Sequence, residues 1–281
     1  MLYRYTFLLL LLFSLTDVVA QQEIKVMSFN IRLDVASDGP NRWDARKDKV
    51  AGLINYYEPD FVGAQEVQHH QLQYLKDSLK HYGYIGVGRD DGKEEGEYSC
   101  ILYRKDKFTV SDQRTFWLSP TPDSVSFGWN AACRRVCTYG LFTSKNGHVK
   151  VWVFNTHFDH ISAEARLESA KLIVRMIDSV NVKKYPVVLT GDFNSKPVEA
   201  PAQYMMKHLL NARAISKQVF GGADTWNAFK FDQQPEGCID YVFLAQHRAV
   251  SVMKFATLTN SQNKQYPSDH FPIMATIKIG K

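Results

Sequence analysis

The final stretch of the chain alternates. Phe271, Ile273, Ala275, Ile277 and Ile279 share one parity, with Met274 the main intruder, which is the two-residue period of a half-buried strand. Near the start, "EIKVMSFNI" predicts a strand, and the polar run "RLDVASDGPNRWDARKD" behind it predicts a surface loop entering a helix. Val50, Leu53, Ile54 and Tyr57 recur at helical spacing, and Pro59 ends that helix. Leu72, Leu75 and Leu79 mark a second helix, and Ala170, Ile173, Val174 and Ile177 a third. Between them "DFVGAQE", "SCILYRKDKFTV", "VKVWVFNTHFDH", "YPVVLTGDFN" and "CIDYVFL" each read as a strand, rich in β-branched and aromatic residues. Strands and helices alternate early and the remainder is strand-rich, so the pattern predicts sheets covered by helices in an α/β or α+β layered domain.

Composition changes this picture mainly at the N-terminus. With 281 residues, 45% hydrophobic and 22% charged, the chain describes a folded globular protein, and no repeat or Pro/Gly/Ser-rich linker divides it. Residues 1–20 stand apart: Arg4, then the apolar run "TFLLLLLFSL", then small residues up to Ala20. This is the pattern of a secretory signal peptide cleaved after Ala20. The run is shorter than the ~20 residues that span a bilayer, so the expectation is one exported domain over 21–281. It would be periplasmic or extracellular, without stable membrane association after cleavage. The formal charge of +5 is a mild excess. It suits an anionic substrate and is too small and dispersed to argue for nucleic acid. In an oxidising compartment Cys133 and Cys137 could pair, although nothing settles the connectivity of the four cysteines and buried or partly paired structural thiols are expected. Their spacing does not suit a zinc site.

The strand-like runs share a second feature, because each ends on an oxygen or nitrogen ligand. Asn30 follows the first, Glu66 the second, His157 and Asp159 the next, then Asp192 with Asn194, then Asp240; Asp269 and His270 precede the last strand. Side chains at strand ends can converge on one rim, and carboxylates with a carboxamide suit a hard cation such as Mg²⁺. Each piece also has an ordinary reading. Asn30 suits a turn cap, Glu66 a helix start, "GDFN" a tight turn, and a single histidine a structural bond. Asp240 inside an apolar strand needs a partner to avoid an unpaired buried charge, and a histidine would serve.

Taken in order, "SFNI", "QE", "NTHFDH", "GDFN", "IDYVF" and "SDHFP" resemble the endonuclease/exonuclease/phosphatase family, which includes deoxyribonuclease I, inositol polyphosphate phosphatases, sphingomyelinases and deadenylase-like enzymes. The resemblance runs across nearly the whole mature chain. It implies a four-layer sandwich, two central mixed β-sheets flanked by helices, and a metal-dependent phosphoric ester hydrolase. Carried onto this chain, it implies Glu66 as the principal Mg²⁺ ligand (Mn²⁺ or Ca²⁺ in its place), with Asn30 and Asp269 completing or supporting the site. Asp192, with Asn194, would orient and deprotonate water. His270, oriented by Asp240, and His157 would bind phosphoryl oxygens.

The ester is harder to read. Two loops hold arginine and tryptophan suited to phosphate and ring contacts: Arg32 and Trp43 in one, Trp129 and Arg135 in the other, with Tyr98 nearby and Asp159 at a strand end. The same residues also fit exposed charges and core tryptophans. The resemblance favours Arg135, since a basic residue in this region is a phosphate ligand in several relatives. The expected substrate is a phosphosugar, a nucleotide or a related small phosphate ester. A secreted nuclease or phosphodiesterase acting on DNA or RNA is the alternative, and a catalytically silent binding module a further one, against which the intact set of site residues speaks. No protein partner is evident.

Overall fold

In the computed structural model, residues 22–147 and 149–280 are described; the expected signal segment lies outside them. The strands in chain order are β1 (Gln22–Asn30), β2 (Phe61–Val67), β3 (Tyr82–Ile85), β4 (Tyr98–Arg104), β5 (Phe108–Trp117), β6 (Val136–Ser144) and β7 (Lys150–His157). They continue with β8 (Val187–Asp192), β9 (Leu210–Asn211), β10 (Gln218–Phe220), β11 (Asp240–Leu244), β12 (Val250–Thr257) and β13 (Ile273–Ile279). The helices are α1 (Trp43–Tyr57), α2 (His69–Ser78), α3 (Ala163–Val180), α4 (Ala200–His208) and the short α5 (Ala212–Ile215).

Two mixed sheets face each other. One runs β10-β12-β13-β1-β2-β4-β3 and the other β5-β6-β7-β8-β11-β9. Both faces of their central strands are covered, so every residue of β2 and the last five of β1 are buried. Alternate residues then serve different layers. Ile24 and Val26 point between the sheets, against Phe61, Phe142, Val153 and Val188. Met27, Phe29 and Ile31 point outward onto α1 and α2 through Val50, Ile54, Leu72 and Leu75. On the far side, Ile173 and Ile177 of α3 and Met205 of α4 pack on Phe154, Leu189 and Phe243. The result is the four-layer sandwich that the sequence led us to expect.

One segment differs from its sequence reading. "SCILYRKDKFTV" is two strands, because Lys107 N–H donates to Arg104 O at 3.0 Å and turns the chain. β4 joins the seven-stranded sheet and β5 the six-stranded one. The apolar residues on either side of a short polar turn gave a single period. Only the partners available across the core separate them.

Topology places the strand ends. β1 runs parallel to β2, and β7 parallel to β8, so Asn30, Glu66, His157 and Asp192 all emerge at one end of the sandwich. β11 is antiparallel to β8 with Asp240 opposite Asp192, and β13 is antiparallel to β1 with Ile273 opposite Ser28. Asp240 and the Asp269–His270 pair therefore arrive at that same end. Just beneath it a polar layer joins the sheets: Asn155 donates to Ala64 O at 2.9 Å and to Cys100 O at 2.8 Å, and accepts from Gln65 at 2.6 Å and Thr190 at 3.0 Å. Gly63 makes that approach possible, because a Cβ there would lie 1.9 Å from Thr190 Oγ1.

Candidate active site

Glu66 reaches the site through a backbone irregularity. The β2–β4 register shifts between Ala64 and Val67, and Glu66 adopts φ 59°. An extra residue in one strand re-aims a side chain that regular pleating would have sent elsewhere. Its carboxylate then accepts from Asn30 Nδ2 at 2.9 Å and from Leu33 N–H at 3.1 Å. Asn30 donates a second bond, to Asp192 Oδ2 at 3.0 Å. Its own oxygen accepts from Arg32 N–H at 3.0 Å, so Asn30 joins the two carboxylates through its amide protons.

Around Asp192 the two histidines take opposite electrostatic positions. Asp192 Oδ2 lies 3.4 Å from His157 Nε2 and 3.7 Å from His270 Nε2. Asn194 Nδ2, at 3.0 Å, donates to His157 Nε2, which puts the His157 proton on Nδ1. On the other side His270 Nδ1 donates to Asp240 Oδ2 at 2.9 Å. The partner that an apolar-strand aspartate requires is therefore His270. Burial alone would discourage a charge on His270, but the Asp240 and Asp192 carboxylates outweigh it and hold its pKa well above the ordinary value. Burial takes His157 the other way, well below that value, with Arg135 and Arg89 adding to the effect.

The carboxyl groups are perturbed as well. Burial, then the nearby Asp240 charge, pushes Asp192 up to about 7. Burial opposes charge on Glu66, yet the Asn30 amide and the Arg32 and His270 charges keep its pKa below normal. Burial and the Glu66 charge raise Asp269. Carboxylates crowd here, the Asp240 charge raising Asp192 and the Glu66 charge raising Asp269, and Arg32 Nη1 reaches Glu66 and Asp269 only at 3.8 Å each. That is the condition a bound cation relieves, and the donor set fits one: the ligand atoms of Glu66, His157 and Asp192 lie within 4.8 Å of one another. Oxygen predominates among these donors, as hard divalent cations require.

Above this floor opens a cavity of about 590 Å³. It gathers Arg32, Glu66, Arg135, His157, Asp192 and Asn194 with Asp269 and His270. Asn30 and Asp240 sit beneath and behind, both buried and bonded to residues of the lining. Four expected substrate contacts are not brought to the lining. Trp43 is a core residue, 3% exposed, edge-on to Tyr74. Tyr98 is also 3% exposed, its hydroxyl spent on Lys93 O and His69. Trp129 packs against the core behind α3. Asp159 is fully buried and accepts from the backbone N–H groups of Ala132, Ile161 and Ser162, so it shapes the turn into α3. In each case an apolar ring or a set of nearby amides outcompetes exposure. All four cysteines are free thiols, so the Cys133–Cys137 pairing is not formed: Cys137 lies in the core, while Cys133 faces Asp159 at 3.8 Å.

The cavity also holds residues that the sequence reading did not single out. Arg89 and Glu97, on the β3–β4 loop, form one wall, and His160 and Cys133 extend it. Trp226, Lys196 and Glu236 form another. Trp226 is bridged to the backbone of both Glu236 and His270, so the tryptophan beside the site belongs to the segment preceding β11. Apart from His160, which ends the quoted run "NTHFDH", no strand-end pattern marks these positions. "GRDDGKEEGE" reads as a solvated charge run until folding turns Arg89 and Glu97 inward.

A four-layer sandwich with acids and histidines gathered over one end of both sheets is the architecture of a phosphoester hydrolase. The profile of the Endonuclease/Exonuclease/phosphatase family matches residues 27–270, and the chain belongs to that family. A solved family member from Bacteroides thetaiotaomicron is 34% identical, covering 93% of this chain and 96% of its own, with a TM-score of 0.88. The mannosyl-6-phosphatase of Bacteroides thetaiotaomicron is 35% identical over 90% of this chain and 99% of its own, with a TM-score of 0.85. Mouse nocturnin is 21% identical over 292 residues, 92% of this chain and 66% of its own length. An uncharacterised mimivirus protein is 29% identical over 161 residues, and that match covers 60% of it. The chain is thus an enzyme acting on phosphoester bonds, and its acidic and histidine clusters suit a divalent cation.

Proposed function

We propose that this protein is an exported, Mg²⁺-dependent phosphomonoesterase that hydrolyses a small phosphosugar by direct attack of water. The observation that carries the reading is the cavity: about 590 Å³, walled by the β3–β4 loop and the segment before β11, it accommodates one small molecule. The likeness to a bacterial mannosyl-6-phosphatase supports a sugar ester. Export is supported by the apolar stretch in residues 1–20. Among the described residues no helix is long and apolar enough to cross a membrane.

Glu66 and Asp269, with Asn30 supporting, would hold Mg²⁺, which supplies charge neutralisation at the phosphoryl oxygens. Asp192, its pKa near 7, is placed to take a proton from water at neutral pH, and Asn194 N–H donates to its other oxygen at 2.9 Å. His270, charged and fixed by Asp240, presents Nε2–H to an equatorial oxygen in the in-line transition state. Arg32 and Arg135 add positive charge on either side. The test is phosphate release from phosphosugars, nucleotides and short oligonucleotides, with Mg²⁺ and after EDTA. Metal-dependent free phosphate from a sugar monoester is the expected result. Oligonucleotide cleavage without free phosphate would replace this reading with a nuclease.

A further inference from the structure

The wall beside the metal-binding floor contains a carboxylate that the chemistry above does not use. Glu97 lines the cavity with its side chain 15% exposed, and Arg89 grips it through both nitrogens, at 2.7 and 2.8 Å. The grip is rigid: Arg89 N–H also donates to Glu97 O at 3.1 Å, and Trp117 Nε1–H donates to Arg89 O at 2.8 Å. A carboxylate offers about four lone-pair sites, and a forked guanidinium takes two. His157 Nδ1, at 3.9 Å, is too far to take another. Glu97 thus faces the cavity with acceptor capacity left over beyond the Arg89 fork. A carboxylate already paired with Arg89 has little to offer a cation, and as an acceptor it has no proton to give the oxygens of a second phosphate. A hydroxyl group is the neutral donor that satisfies it. Trp226, which lines the same cavity and is 37% exposed, supplies a flat apolar surface of the kind a sugar ring covers.

We propose that Glu97, held by Arg89, is a specificity-determining residue that accepts a hydrogen bond from a ring hydroxyl of the leaving alcohol, so that the enzyme selects polyhydroxylated monophosphates over equally small esters without hydroxyls. This rests on the phosphomonoesterase reading above. The experiment compares kcat/KM for hexose monophosphates, their singly deoxygenated analogues and phenyl phosphate, in the wild type and in Glu97→Gln. With the wild type, at least one deoxygenated analogue loses about tenfold or more, because a buried acceptor is left unmet. In Glu97→Gln that loss shrinks to about threefold or less, a coupling that a merely structural role for Glu97 does not produce. Wild-type enzyme that treats every deoxygenated analogue like its parent overturns the proposal, and so does a loss that persists undiminished in folded Glu97→Gln. If Glu97→Gln does not fold, Glu97→Asp, which keeps the carboxylate and draws it back by one methylene, takes its place in the comparison with the same two outcomes. Enzyme that cleaves bis(p-nitrophenyl) phosphate and no monoester removes the phosphomonoesterase reading and this proposal together, whereas monoesterase activity blind to hydroxyls removes this one only.

Discussion

Arg46 is fully buried on the inner face of α1 and has no carboxylate within bonding distance among the described residues; its guanidinium is satisfied by backbone carbonyls. It donates to Asn41 O at 2.7 Å, Arg32 O at 2.7 Å, Leu33 O at 3.3 Å and Pro267 O at 3.1 Å, and to Ile31 O. Trp43 and Phe229 flank it at 5.5 and 5.6 Å. The side chain therefore ties the segment after β1, which carries Arg32 and follows directly on Asn30, to the segment before Asp269 and His270. In Arg46→Met the volume is nearly kept and the donors vanish. Arg32 O retains Gln71 Nε2 at 2.9 Å, so four carbonyls lose their donor. At ~1–3 kcal/mol per unsatisfied buried group, set against several kcal/mol of guanidinium desolvation recovered, the net loss is about 3 kcal/mol. For a domain of this size that lowers Tm by roughly 6–12 °C. Thermal unfolding in EDTA, followed by circular dichroism, reads the effect without any contribution from bound metal. Arg46→Lys, with three donors on a single nitrogen, falls between wild type and Arg46→Met. A Tm for Arg46→Met within ~2 °C of wild type would refute the reasoning, since the carbonyls would then have found other donors at no cost.

Three further outcomes are expected. Asp240→Asn keeps an oxygen that can accept from His270 but removes the charge behind the 2.9 Å bond, and should lower kcat for phosphate release by about 10²–10⁴-fold. Because the His270 pKa is raised, the stability this pair contributes is full below the unfolded value and fades as pH rises through the folded one; urea midpoints of wild type and Asp240→Asn should converge at alkaline pH, and a constant difference would count against the charged pair. Gly63→Ala drives a methyl to within 1.9 Å of Thr190 Oγ1 and 2.5 Å of Asn155 Oδ1, and should cost about 1–3 kcal/mol or more in urea unfolding; a neutral effect would mean that the sheets separate freely there. Burial pushes the Cys100 thiol up to about 12 and raises that of Cys137 further, so neither should react with a thiol reagent in the native protein while all four react in denaturant; native labelling of Cys137 would contradict its place in the core.

Much of the architecture was written in local pattern. The three helix faces built on Val50, Leu72 and Ile173 became α1, α2 and α3, and the alternation from Phe271 to Ile279 became β13. Periodicity is local, so sequence carries it. The order of ligand-bearing strand ends was legible for the same reason, because Asn30, Glu66, His157 and Asp192 each close an apolar run; Asp240 instead opens β11, and reaches the same end because that strand runs antiparallel to β8. What sequence could not weigh was competition among distant partners. Trp43 and Trp226 are alike in one dimension. In the fold one is held by Tyr74 and Arg46, while the other is bridged to His270 at the cavity edge. Arg46 stands in a polar run that reads as a surface loop entering a helix, and no pattern marks Glu97. Only tertiary packing surrounded the first with carbonyls from residues as distant as Pro267 and turned the second against Arg89 inside the cavity. The residue types and their order determined which chemistry the chain can perform. Long-range burial and hydrogen-bond satisfaction decided which of those residues face the cavity, because the cost of an unpaired polar group depends on neighbours that sequence distance does not reveal.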